Sequence, residues 1–123
     1  MNLATHPWLI AILLAVLALL PSSAFSVMTS EQIKATMNMY RKAAEQGNAD
    51  GQVNLADCYA RGVGVTKDEI EAYAYYNLAG ITDEDARKDL AILEKGMSPD
   101  VRLRGQQRTK ELQKEIEAKR AGK

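Results

Sequence analysis

The residues of this 123-residue sequence that could take part in catalysis do not form a recognisable catalytic pattern. The only histidine, His6, lies in an N-terminal segment that is expected to be removed, so the remaining chain would have no histidine to activate a nucleophile or bind a metal. No Ser-x-x-Lys motif is present, and the only cysteine, Cys58, has no partner for an intramolecular disulfide. The residue types therefore argue against an enzyme and against a bound cofactor.

Two short clusters resemble ligand sites, but helix structure explains each of them better. Asp83, Glu84 and Asp85 are arranged as if to hold a cation, yet acidic residues in the first turn of a helix also complement the helix dipole. Gly62 and Gly64 are too closely spaced for a phosphate-binding loop, and they follow a predicted helix instead of a strand. We therefore predict neither a metal nor a phosphate-bearing cofactor.

The N-terminal segment, residues 1–26, is predicted to be a signal peptide. Its apolar run from Trp8 to Leu20 has 13 residues, fewer than the roughly 20 that a membrane-spanning helix needs. Small residues fit cleavage before Val27 and, in a second register, before Phe25. We expect an exported protein, periplasmic or secreted. Because no Lys or Arg precedes the run, an uncleaved membrane anchor remains the alternative.

Charge is distributed unevenly along a chain whose net charge is zero. Residues 27–101 contain 8 basic and 13 acidic side chains, whereas residues 102–123 contain 8 basic and 3 acidic ones. Opposite signs would hold the basic tail on the acidic body or give two surfaces for partners. Acidic residues are interleaved with the basic ones of the tail, and no aromatic residue follows Tyr76, so nucleic-acid binding is not expected.

Start and stop signals divide the chain after the signal peptide into about five helices. The first runs from about Ser30 to Glu45 behind a capping box of Thr29 and Gln32, and the second lies between Asn48 and Gly62. The later start signals are a Thr66–Glu69 capping box, Thr82 with Asp85, and Ser98 followed by Pro99, while Gly80 and Gly96 end the third and fourth helices.

The fifth helix, in residues 98–123, is predicted to cap the domain but to dock weakly. Its inward face would contain Val101, Gly105, Arg108, Leu112 and Ile116, and Gly105 and Arg108 are poor core residues. We therefore expect fraying beyond about residue 115 and disorder from residue 121 onward.

A pattern that returns after 36 residues indicates how the helices pack. Tyr40 and Ala43 recur as Tyr76 and Ala79. With one residue dropped at the turn, three further pairs coincide, namely Asp50 with Asp85, Leu55 with Leu90 and Ala56 with Ala91. A repeat of this length predicts stacked antiparallel helix pairs, a short all-α solenoid whose alanines and glycines let the helices approach closely. Leu55, Tyr59 and Tyr76 are expected to meet inside one pair.

These residues resemble the Sel-1-like repeat, a relative of the tetratricopeptide repeat. The resemblance rests on the run from Tyr40 to Leu55, on Tyr59, on Gly62-Val-Gly-Val65, on Asp68 and on residues 72–79. Residues 93–107 also resemble the closing element that follows the last repeat in many bacterial members. The resemblance implies an α-solenoid over residues 27–97 that acts as a protein–protein adaptor or accessory factor, often exported and usually without catalysis.

The resemblance also implies a binding groove, by analogy with tetratricopeptide repeats. The residues that would line it are Asp50, Val53, Asp57, Tyr75, Asp85 and Lys88. A basic or amide-rich peptide of a partner protein is the ligand expected for such acids, unless they form only a solvated helix face.

Two other functions and one assembly remain open at this point. A cell-wall-linked hydrolytic enzyme is the first, although the missing histidine argues against it. A membrane-tethered regulator whose basic tail contacts anionic lipid is the second. Since the chain holds barely one full repeat unit, weak self-association through an uncovered end is also expected.

Overall fold

The structure, a computed structural model, describes residues 6–18 and 28–122. These residues form six helices and no strand: α1 (Pro7–Ala18), α2 (Ser30–Glu45), α3 (Ala49–Arg61), α4 (Glu69–Ala79), α5 (Glu84–Lys95) and α6 (Pro99–Ala121). The predicted all-α fold of adjacent packed helices is confirmed. Both predicted cleavage positions lie outside the described residues. Within the described part, every helix is too short or too polar to cross a bilayer.

Local capping chemistry sets the ends of α2 and α3 as predicted. Thr29 and Gln32 form the reciprocal capping box of α2. The Asn48 side chain accepts the amide of Gly51 at the start of α3, and Gly62 ends that helix in the left-handed conformation with φ of 70°.

The predicted starts of α4 and α5 are wrong by one or two residues. Asp68, not Thr66, caps α4 and accepts the amides of Ile70 and Glu71 at 3.0 and 3.1 Å. Asp83, not Thr82, caps α5 through amides two and three residues later, at 2.8 and 3.3 Å. In both places an aspartate follows the threonine closely, and an aspartate is at least as strong an N-cap.

Small residues let α3 pack between α2 and α4. Leu55 is fully buried, with 0% of its surface exposed, and Ala44, Ala56, Ala72 and Ala79 surround the same helix contacts without exposure. At Gly51 the approach is so close that an added Cβ would lie 2.6 Å from Cβ of Ala43. The small residues of the repeat are therefore what permits this spacing.

The prediction of weak docking for the last helix is wrong. Helix α6 has 23 residues, packs mainly on α4 and reaches α2, and it buries Leu112 and Ile116. It continues to residue 121, so the predicted fraying beyond residue 115 is also wrong. The two residues that looked unsuitable make the contact, because Gly105 admits the ring of Tyr73 and Arg108 donates to Glu71.

Candidate interaction surface

The predicted groove residues differ in their exposure and in their partners, so they do not form one common site in the structure. Asp50 is exposed on the first turn of α3, and Val53 is half-buried against the core. Asp85 and Lys88 are exposed and form an ion pair at 3.0 Å. Whether they bind a partner stays a prediction.

Asp57 has a structural partner inside the helix pair. The Tyr76 hydroxyl of α4 donates a hydrogen bond to its carboxylate. Burial raises the pKa of Tyr76, and the hydrogen bond to Asp57 raises it further. Asp57 therefore joins α3 to α4 in addition to any role at the surface.

Tyr75 lies in a different place from the other five predicted residues. Only 6% of its surface is exposed, and its ring stacks on Tyr59 with a centroid distance of 6.0 Å and an interplanar angle of 6°. The pair lies at the floor of a cavity of about 240 Å³ between helices α2 to α4 and the second half of α6. Leu112 and Ile116 of α6 line the same cavity.

Tyr75 lines this cavity, and its hydroxyl forms no hydrogen bond with another described residue. Because every buried side-chain nitrogen or oxygen atom in the described part has a partner, this hydroxyl is not sealed off and stays accessible from the cavity. Burial raises the pKa of Tyr75 to about 12, and the neighbouring Tyr59 and Glu71 act in the same direction. At neutral pH the side chain is therefore an uncharged hydrogen-bond donor in the lining of the cavity.

Most charged groups at the rim of the cavity are already paired. Arg108 donates to Glu71 of α4 and, at 2.8 Å, to Glu115 of its own helix. These hydrogen bonds raise the pKa of Arg108 above its ordinary value, and the one to Glu115 has the larger effect. Lys119 pairs with Glu45 of α2. These groups hold α6 in place instead of facing a ligand.

Arg41 is the rim cation that forms no ion pair within the described part of the chain. Its side chain is exposed, and its guanidinium makes only a long hydrogen bond of 3.5 Å to the Tyr59 hydroxyl. Arg41 and Tyr75 thus present two available donors around a stacked aromatic pair. Such a site suits a carboxylate or carbonyl oxygen placed over an apolar floor.

This cavity was not predicted from the sequence. Tyr59 was expected to lie in the core, and α6 was expected to dock too weakly to cover a site. Tyr59 and Tyr75 are 16 residues apart, and nothing in that spacing indicates stacking. The described residues contain no group of three or more histidine, cysteine, aspartate or glutamate side chains that could hold a metal ion.

Antiparallel helix pairs with small residues at their contacts define a helical-repeat protein of the kind that presents a surface for binding. Residues 30–48 and 49–80 match the Sel1 repeat family model, so this segment of the chain is recognised as Sel1-like. The second match covers α3 and α4, one full unit, and the first covers α2 with its following turn. Sel1 repeats are generally protein–protein interaction modules and typically non-catalytic scaffolds. No curated protein matches the chain significantly.

Proposed function

We propose that this protein is an exported adaptor that binds a partner protein in the cavity beneath α6 and catalyses no reaction. The observation that supports this proposal is the Tyr59–Tyr75 stack, with the unpaired hydroxyl of Tyr75 and the guanidinium of Arg41 beside it. Protein interfaces are commonly anchored by one or two side chains that fill a small pocket lined with aromatic residues.

The size of the cavity favours an anchoring side chain over a whole small molecule. Its volume of about 240 Å³ is below the range of roughly 300 to 1,000 Å³ that is usual for small-molecule sites. The anchor that fits is an apolar stem ending in an acceptor, such as a glutamate side chain or a chain terminus. This ligand has the opposite charge to the basic peptide expected for the acids of α3 and α5.

Affinity capture tests this proposal, with the tagged full chain expressed in the organism that naturally produces it. Arg41→Ala removes the guanidinium, and Tyr75→Phe removes only the hydroxyl. Lys42→Ala is the matched control, because Lys42 is the exposed neighbour of Arg41 and does not line the cavity. A partner that the wild type and Lys42→Ala retain, and that both other variants lose, supports the proposal. Equal retention by all four proteins contradicts it.

Export is a separate part of the proposal and rests on the apolar run of residues 8–20. Sequencing the N-terminus of the natural protein tests it. A protein that begins at Val27 or Phe25 supports export with cleavage. An intact N-terminus in the membrane fraction would instead favour the membrane-tethered regulator.

A further inference from the structure

Three sulfur-containing side chains line one small cavity beside the contact between α2 and α3. They are Met28 just before α2, Met37 of α2 and Cys58 of α3, and the volume of the cavity is about 160 Å³. None of the described residues that line it carries a charge, and none is a histidine. The remaining lining residues are Ile33, Thr36, Tyr40 and Val63.

The loop that follows α3 holds two of the three sulfur-containing residues in place. At Gly64, where φ is 72°, an added Cβ would lie 2.9 Å from Cγ and 3.7 Å from Sδ of Met37. The amide of Val63 donates to the carbonyl oxygen of Cys58 at 3.0 Å. Met37 is buried and Cys58 is half-buried against the core. The Gly-Val-Gly-Val loop therefore fixes one wall of this cavity.

Met28 provides the adaptable wall of the cavity. Its side chain is 51% exposed, so packing leaves it free to change rotamer. Methionine is unbranched and has three rotatable bonds, which lets its sulfur adjust to a ligand. Met28 also follows both predicted cleavage positions, so a processed chain would keep it.

A cavity with this donor set suits a soft, monovalent metal ion. Thiolate and thioether ligands select Cu(I), whereas Mg²⁺ and Ca²⁺ take oxygen ligands and structural Zn²⁺ sites use thiolates, imidazoles and carboxylates. The single thiol supplies one negative charge when it is deprotonated. A monovalent ion neutralises that charge, whereas a divalent ion would leave a net positive charge in an apolar cavity, which is costly.

We propose that Cys58, Met28 and Met37 bind one Cu(I) ion in this cavity. The thiol of Cys58 releases its proton to solvent as its sulfur bonds to the ion, and the two thioether sulfurs complete a three-coordinate site. Copper remains Cu(I), so no electron is transferred. The prediction of no bound metal considered histidine and carboxylate ligands and left methionine out. This site is separate from the cavity beneath α6 and does not depend on the adaptor function.

Competition for Cu(I) under anaerobic conditions tests the site in the full chain. Copper is added as Cu(I), and a coloured Cu(I) chelator is the competitor. Met28→Leu and Met37→Leu each remove one thioether at nearly constant volume, and Cys58→Ala removes the thiol. Met39→Leu is the matched control, because Met39 lies on α2, is 69% exposed and does not line the cavity.

We expect the wild type and Met39→Leu to bind one Cu(I) per chain with equal affinity. The loss of a residue that only supports a metal ligand already weakens binding about ten- to hundredfold, so loss of either thioether ligand should weaken it at least about tenfold. Loss of the thiol should weaken it further. Equal affinities for Met39→Leu and either of the other two methionine variants would overturn the proposal. So would a wild type that binds no more Cu(I) than Cys58→Ala.

X-ray absorption at the copper edge supplies a test that needs no substitution. The Cu(I) ion bound to the wild type should have three sulfur neighbours. Nitrogen or oxygen neighbours in place of any of them would overturn the proposal. Circular dichroism checks that the variants are folded. Should the buried Met37→Leu unfold, Met28→Leu still decides the outcome, because the side chain of Met28 is exposed.

Discussion

Gly105 of α6 lies directly against the ring of Tyr73 of α4. A Cβ atom added at position 105 would be 2.7 Å from both Cγ and Cδ1 of this tyrosine. Tyr73 is buried, with 3% of its surface exposed, so its ring cannot move into solvent without loss of packing. The glycine that looked like a defect in the last helix therefore allows that helix to approach the repeat closely.

Substituting Gly105 by alanine is expected to destabilise the protein. In an unconstrained helix interior this change is worth about 1 kcal/mol of added stability. Here the new methyl group overlaps a buried ring, and overpacking costs about 1 to 3 kcal/mol. The midpoint of urea unfolding should fall for Gly105→Ala and change little for Gly96→Ala, where the nearest atom would be 3.8 Å away. A rise in the midpoint for Gly105→Ala would contradict the close approach.

The sequence predicted α2, α3 and α4 well because the signals that form them are local. Thr29, Asn48 and Gly62 act on amides and carbonyls within a few residues of themselves, and the spacing of the alanines is regular. The position of α6 could not be predicted from local signals. It depends on Glu71 and Tyr73, which lie more than 30 residues away from Arg108 and Gly105, and single-helix patterns do not show such pairs.

The candidate site was less predictable than the fold for the same reason. The cavity exists only where the second half of α6 passes over Tyr59 and Tyr75, so it could not be predicted while that helix was expected to fray. The acids of the predicted groove fit helix spacing, but spacing alone does not reveal that Tyr76 donates to Asp57.

Arg108 is expected to be the most important charged residue for holding α6 on the repeat. Its side chain is 24% exposed and that of Glu71 is 19% exposed, so removing the arginine leaves a mostly buried carboxylate without its main partner. We expect Arg108→Ala to lower the free energy of unfolding by about 1 to 3 kcal/mol. Arg104→Ala is the control on the exposed side of the same helix. Equal losses in the free energy of unfolding for the two variants would show that the ion pairs of Arg108 do not stabilise the docking of α6.

Among the described residues, Leu55 is the largest side chain that is fully buried, and its truncation tests the packing of α3 between its neighbours. Leu55→Ala should cost about 2 to 5 kcal/mol, because it removes apolar contacts and leaves a cavity. Leu103→Ala makes the same chemical change where the side chain is 64% exposed, and it should stay within about 0.5 kcal/mol of the wild type. Chemical denaturation followed by circular dichroism measures both. A near-neutral Leu55→Ala would contradict the helix packing described above.

The raised pKa of Tyr75 predicts how stability depends on alkaline pH. In the unfolded chain this group ionises near its ordinary pKa of 10.0, whereas in the folded protein it keeps its proton until about pH 12. Between these values the unfolded state binds fewer protons than the folded state, so the free energy of unfolding falls as the pH rises.

Tyr75→Phe removes this contribution. Since the hydroxyl has no hydrogen-bond partner among the described residues, we expect the variant and the wild type to be similarly stable at pH 8. Above pH 10 the wild type should lose stability faster than the variant in urea titrations at successive pH values. Parallel losses would mean that the hydroxyl of Tyr75 is as well solvated in the folded protein as in the unfolded chain, and the cavity above it would then be open water instead of a partly closed site.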